Sequence, residues 1–357
     1  LVSELQARGG TWLPFPADAR NPFAMAAALP KLVRLIRRER PSIVHARSRA
    51  PAWVALGACR LTRTPFVTTF HGSYGGTSPP KVLYNSVMAR GDTVIANSAY
   101  TAGLIRRHYP WASDRIEIIV RGTDLRAFSP ASVAPSRVAR LRADWSVEAD
   151  QRIVLLAARL TSWKGHKVLV DAAALLRRRG SGDAVFVLAG DPQGRDGYVR
   201  QVDAAIRNAG LGAVVRRVGH CDDMAAALLA ASVLVVPSLK PEAFGRSAVE
   251  AQALGTPVVV SDLGAVPETV LAPPHVPPEQ RTGWTVPPGD PAALADALAD
   301  VLALGASERD ALARRAQHHV MSRFSLDTMQ RATLEVYRKV LDAVGSPANT
   351  LAAGDMG

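Results

Sequence analysis

Two glutamates with seven residues between them, Glu242 and Glu250, carry the clearest chemical potential in this sequence. They lie in 241–260, where an apolar run at 233–237 passes into a loop with Glu242, Phe244 and Gly245, then into a helical stretch with Glu250. Loops at the carboxyl ends of strands in an open α/β sheet face the ligand crevice. There Glu242 can accept hydrogen bonds from sugar hydroxyls, Gly245 permits close backbone approach, and free amides at the helix start suit a diphosphate. Ser247-Ala248-Val249-Glu250 also fits a capping box, in which Glu250 serves only an orphan amide. Glu250 therefore has two readings and Glu242 one.

A second cluster, 157–165, again follows a strand-like run and precedes a helical one, and it holds Arg159 and Lys164. Two cations at a strand's carboxyl end could neutralise a departing nucleoside diphosphate without a metal, or could simply be a solvated loop. In the first half, the run 66–70 ends at His71-Gly72-Ser73, so a histidine stands at another crevice-facing strand end, where a structural role is the plainer one. Val44-His45-Ala46-Arg47-Ser48-Arg49 places Arg47 and Arg49 beyond a strand, to hold an acceptor phosphate or to solvate the rim.

Positioning these residues requires alternating strands and helices. Apolar runs of strand length at 43–46, 66–70, 93–96 and 116–120, and again at 153–158, 185–189, 214–218, 233–237 and 258–260, are separated by helix-like stretches. That is the pattern of βα units, and it predicts two doubly wound parallel sheets. Residues 128–137 are rich in Ser, Pro and Ala, which sets the boundary near 148. The expected organisation is 1–148, 149–345 and a loose tail at 346–357. Ser98 starts a helix, Asp290-Pro291 provides an N-cap with proline at the first helical position, and 326–344 has helical spacing and closes the fold. A short basic amphipathic helix at 31–38 either packs with a solvated face or meets a membrane surface.

The 357 residues suit two domains, and 48% hydrophobic with 21% charged residues is an ordinary globular balance. Two distant cysteines, Cys59 and Cys221, exclude a disulfide framework and a thiolate metal site, and point to a reducing cytoplasm. Leu1 opens the chain without a start methionine or signal-peptide core, so a true N-terminus is expected upstream. Charge is uneven: residues 1–130 carry 18 Lys and Arg against 7 Asp and Glu, or +11 of the chain's +12. Such a field attracts phosphates or anionic headgroups, and no nucleic-acid-binding signature accompanies it.

Together these residues resemble the retaining family 4 glycosyltransferases of GT-B architecture. The carriers are His71-Gly72, Val94-Ile95-Ala96-Asn97-Ser98, Arg121-Gly122-Thr123-Asp124, Arg159 with Lys164-Gly165, Glu242-Ala243-Phe244-Gly245 through Glu250, Gly255-Thr256-Pro257, and Gly283-Trp284 through Pro288-Gly289-Asp290. The resemblance implies two Rossmann-like domains facing a cleft, with the last helix packing back toward the N-terminal one. It also implies Glu242 on the donor sugar and Glu250 on the donor ribose. Arg159 and Lys164 would hold the diphosphate, the Phe244 and Gly245 amides would complete the site, and His71 would lie under the transferring sugar. The donor would be a UDP-sugar, with no cofactor or metal. More narrowly, 44–53 and 218–224 look like a branch linked to lipopolysaccharide core assembly, whose acceptor is a phosphorylated, lipid-linked saccharide at the inner face of the cytoplasmic membrane.

This chain departs from the pattern in three places. No strand with a glycine-rich loop precedes Leu1, Gly264-Ala265 replaces a Gly-Gly, and 271–281 is a proline-rich insertion. Two rivals share the architecture: a sugar-nucleotide 2-epimerase, and a protein that binds saccharide phosphate without transferring it.

Overall fold

The computed structural model describes residues 2–16, 21–72, 78–180 and 184–345; the tail at 346–357 lies outside them. Contacts divide the chain into two units, Leu1–Ala96 with Ala102–Ile118 and Leu334–Gly357, and Asn97–Thr101 with Ile119–Thr333. The first contains α1 (Val2–Ala7), α2 (Pro22–Glu39), β1 (Val44–Ala46), α3 (Arg49–Thr62), β2 (Phe66–Phe70), α4 (Pro79–Asn85), β3 (Thr93–Ala96), most of α5 (Ala99–His108) and β4 (Ile116–Ile118). Its four strands are parallel and lie in chain order, β1-β2-β3-β4. Each strand is short, and β2 is buried along its whole length, so it reads as an unbroken apolar run. Helix α2 carries the basic stretch at 31–38: it buries Ala28, Val33 and Ile36, is in contact with α3, and turns Lys31, Arg34, Arg37 and Arg38 outward.

The second unit continues with α6 (Pro135–Asp144), β5 (Arg152–Ala157), α7 (His166–Arg178), β6 (Ala184–Ala189), α8 (Asp196–Asn208), β7 (Val215–Gly219), α9 (Met224–Ala230) and β8 (Val233–Val236). After these come α10 (Arg246–Ala253), β9 (Val258–Ser261), α11 (Val266–Thr269), β10 (Trp284–Val286), α12 (Pro291–Ala303), α13 (Ala306–Arg323) and α14 (Leu326–Gly345), the last passing into the first unit at Leu334. All six strands are parallel in the order β10-β9-β8-β5-β6-β7. Winding therefore runs outward in both directions from the β5/β8 junction. Successive residues feed opposite faces: Val154 and Leu156 enter one core with Leu169, Leu298 and Val301, while Ile153 and Leu155 enter another with Leu228, Ala248 and Trp145.

The boundary lies earlier than the 148 expected. Residues Ile119–Thr333 belong to the second unit, and Val133, Leu141, Trp145 and Val147 join the core beneath α9. Strand β10 was not foreseen: three residues, only two of them buried, leave no periodic signal. The proline-rich insertion is a loop closed at its neck, where Leu271 and Thr282 exchange hydrogen bonds of 3.0 and 2.8 Å. Beside it Arg281 stacks 4.2 Å from the Trp284 ring centroid.

Within the first unit the second half of α14 is tied to the sheet by His45. Its Nδ1 lies 2.6 Å from the Tyr337 hydroxyl and its Nε2 2.7 Å from Thr69 Oγ1, and burial, with Arg47 nearby, lowers its pKa to about 4. A further tie is Lys339 to Glu117 at 3.2 Å.

Candidate active site

Reversal of winding between β5 and β8 opens a crevice beyond their carboxyl ends, where an open α/β sheet binds its ligand. Both candidate loops leave from this point, 158–165 after β5 and 237–245 after β8. They are locked together by backbone: Leu239 N–H donates to the Trp163 carbonyl at 2.7 Å, and Gly165, at φ +74°, leaves no room for a side chain against the Pro237 carbonyl. On this frame Lys164 Nζ meets Glu242 Oε1 at 2.7 Å, with both side chains about 85% buried, and stacks 4.5 Å from the Trp163 ring centroid. Buried Ser238 donates to the same Oε1 at 2.5 Å. Glu242 Oε2 has no hydrogen-bond partner among the described residues and is available to a ligand hydroxyl.

The Glu242 backbone is held just as tightly. It bridges to Gly264, where φ is +72° and a Cβ would lie 2.5 Å from the Glu242 carbonyl oxygen, which excludes any side chain there. The next residue, Ala265, has ordinary helical φ and ψ and donates to the Glu242 carbonyl at 2.9 Å, so alanine fits where the resembled pattern has a second glycine. Gly245, at φ +92°, is the N-cap of α10, which makes Ser247 the second helical residue and not the N-cap. The capping-box reading of Glu250 therefore fails. Instead Glu250 pairs with Arg246 at 3.4 Å, its side chain 13% exposed. Phe244 turns its ring into the core, edge-on to Phe324 at 5.6 Å, which leaves only its amide for the site; burying that ring contributes roughly 2 to 3 kcal/mol. Arg159 stands exposed at the end of β5, on the same edge of the sheet as the Lys164–Glu242 pair.

Burial raises the Glu250 carboxyl above the ordinary glutamate range, partly offset by Arg246 and Arg121, so its folded form holds the proton more tightly than the unfolded chain does. Ionisation at neutral pH then costs stability, a cost absent below the unfolded value of about 4.3. Glu250→Gln is expected to match or exceed the parent Tm at pH 7, and the gap should close as pH falls through the carboxylate range. A lower Tm at pH 7 for the variant would show that Glu250 is there to stabilise the fold.

In the first unit, Arg47 and His71 directly follow the adjacent strands β1 and β2, and Arg47 Nε donates to His71 Nε2 at 3.0 Å. A neutral His71 then carries its proton on Nδ1. Arg49 turns elsewhere, donating to Asn85 Oδ1 at 2.7 Å and lying 5.6 Å from the Tyr84 ring centroid. The two arginines do not form one pair. Ser238, Trp163 and Arg246 were not singled out from sequence, since a serine, a tryptophan and an arginine in loops carry no periodic or spacing signal. Arg121, which acts on Glu250, lay within a quoted motif without a role.

Two parallel Rossmann-like units, the second with a cation–carboxylate pair at its switch point, define a GT-B fold. Residues 138–319 match the family model for group 1 glycosyl transferases and 4–127 that for glycosyltransferase family 4, and the chain belongs to this family. It is 34% identical over 280 residues to the D-inositol 3-phosphate glycosyltransferase of Saccharomonospora viridis, covering 75% of this chain and 61% of that protein. With the enzyme of the same name from Pseudarthrobacter chlorophenolicus it shares 30% identity, covering 87% and 74%. The chain thus spans about three-fifths of the first relative's length. A solved glycosyltransferase from Rickettsia africae ESF-5 superposes with a TM-score of 0.85 at 30% identity, covering 95% of this chain and 87% of that one.

Proposed function

We propose that this protein transfers a sugar from a nucleoside diphosphate donor, a UDP-sugar, to a phosphorylated acceptor, with retention at the anomeric carbon and without a metal. The Lys164–Glu242 pair at the switch point carries this reading. As the glycosidic oxygen leaves with the diphosphate, negative charge grows on the phosphates and positive charge on the sugar carbon. Lys164, helped by Arg159, answers the first, and Glu242, through its open Oε2, holds a sugar hydroxyl beside the second. Glu250 takes the ribose hydroxyls, and the first amides of α10 face the phosphates. His71 serves under the transferring sugar, and the leaving phosphate takes the acceptor's proton.

Acceptor recognition follows from charge. The first 130 residues carry +11, and the relatives act, by their names, on an inositol phosphate, while the narrower resemblance points to a phosphorylated lipid-linked saccharide of lipopolysaccharide core at the inner membrane face. Both acceptors present a phosphate, and Arg47 is the proposed contact.

A panel of UDP-, GDP- and ADP-sugars, each with inositol 3-phosphate or a phosphorylated lipid-linked core saccharide and with or without chelator, tests the proposal. Nucleoside diphosphate release that needs an acceptor, yields a retained linkage by NMR and survives the chelator is expected. Turnover of the donor without acceptor would mark an epimerase, and binding without turnover a non-catalytic protein.

A further inference from the structure

The first unit holds a cavity at the amino ends of its strands, the end that sugar transfer does not use. It measures about 530 Å³, within the roughly 300 to 1,000 Å³ of small-molecule sites, and lies between the end of α3, the starts of β2 and β3 and the last turns of α14. Phe66 opens β2 and His71 follows its last residue, so the cavity stands roughly 15 Å along the strand from the end where His71 and Arg47 meet. Its wall is fixed by paired bonds: the Phe66 amide donates to Asp92 Oδ2 at 2.7 Å, and the Asp92 amide to the Phe66 carbonyl at 2.7 Å. Cys59, Phe66 and Val340 line it as buried groups. Burial, with Asp92 nearby, pushes the pKa of the Cys59 thiol up to about 12, so this part of the lining stays uncharged. Arg60, Arg63 and Lys339 line the same cavity as exposed cations.

Arginines at a helix C-terminus commonly do no more than complement its dipole. Here the cations exceed that need. Each helix end carries about half a negative charge, so the ends of α3 and α14 and the Asp92 carboxylate amount to about two, against the three positive charges of Arg60, Arg63 and Lys339. Asp92 is already bound to the Phe66 amide. Among the described residues neither Arg60 nor Arg63 forms an ion pair, and the Lys339 link to Glu117, 3.2 Å long and exposed on both sides, is worth little. A preformed cavity with an apolar interior and cations at its mouth suits a ligand with an apolar body and a charged head. We propose that this cavity binds a small organic anion, its phosphate or carboxylate held by Arg60, Arg63 and Lys339 and its apolar body set against Cys59, Phe66 and Val340.

Titration calorimetry of the full chain with phenyl phosphate and with benzoate, beside inorganic phosphate and phenol, tests it. At least one of the two aryl anions is expected to bind with a Kd below about 1 mM, roughly tenfold or more tighter than either inorganic phosphate or phenol, and the tighter of the two identifies the head group. Excess UDP should leave that binding unchanged, since the crevice lies at the other end of the strands. Arg60→Gln with Arg63→Gln should weaken it by roughly tenfold or more, whereas Arg37→Gln with Arg38→Gln, which removes two charges from α2, should change it by less than about threefold. Ala343→Trp, which fills the cavity from an exposed position on α14, should abolish it while leaving both arginines in place. Displacement by UDP, equal losses in the two arginine pairs, parental binding by Ala343→Trp, or no binding of either aryl anion by the parent would each overturn the proposal.

Discussion

Glu242→Gln is expected to lower turnover by roughly a hundredfold or more while changing UDP affinity by less than about threefold. The substitution keeps the shape and an acceptor oxygen for Ser238, and removes the charge proposed to face the sugar as its reacting carbon becomes positive. The diphosphate contacts are left in place. Lys164→Ala should damage both quantities, because the ammonium is proposed to touch the phosphates in the ground state and as they leave; losing such a charge-assisted contact costs about 1.5 to 3 kcal/mol, or roughly tenfold or more in affinity. It should also lower Tm, since the largely buried Glu242 carboxylate loses its counter-ion. Titration calorimetry with UDP, beside steady-state kinetics, reads the contrast. Near-parental turnover by Glu242→Gln, or a loss of UDP affinity as deep as that of Lys164→Ala, would reverse the roles assigned to these residues.

Gly165→Ala should be the most disruptive single-methyl change at the site. A Cβ there would sit 1.8 Å from the Pro237 carbonyl oxygen, a backbone atom, in a residue at φ +74°. Either the β5 loop or the β8 loop must move, and with it the Trp163–Leu239 hydrogen bond that sets Lys164 against Glu242. We expect a cost of at least about 3 kcal/mol, a Tm drop on the order of 10 °C, and near-complete loss of transfer. Gly180→Ala is the matched control: at φ +66° it bears the same backbone strain but meets nothing within 4 Å, and should cost only about 1 kcal/mol. If both variants melt together, the contact between the loops is not what positions the pair.

Much of the scaffold could be read from sequence because parallel strands buried on both faces appear as short continuous apolar runs. Strands β2 and β3 coincide with the runs at 66–70 and 93–96, and the others, β10 apart, differ from their runs by one or two residues. Asp290, foreseen as an N-cap, accepts from the Ala292 and Ala293 amides at 2.9 and 3.0 Å. These are local effects, settled within a few residues of chain. Which core a helix joins is not local, and α6 went to the second unit although its sequence resembles a linker.

The candidate site divides along the same line. Residue type and position after a strand singled out Lys164 and Glu242 separately, and nothing in the spacing joined them; 78 positions apart, they meet because β5 and β8 are neighbours at the point where winding reverses. Glu250 was balanced between cap and ligand contact until the φ of Gly245 started α10 at Arg246. Phe244 lost its side chain to the core, Arg47 and Arg49 parted toward His71 and Asn85, and Ser238 entered through one hydrogen bond. Sequence by itself determined the alternation of elements and the chemical types at their ends, because helix and strand periodicity and capping act over a few residues. Only the tertiary structure decided which of those ends share a crevice, because strand order follows from burying both faces of each sheet, a condition met by the whole unit at once.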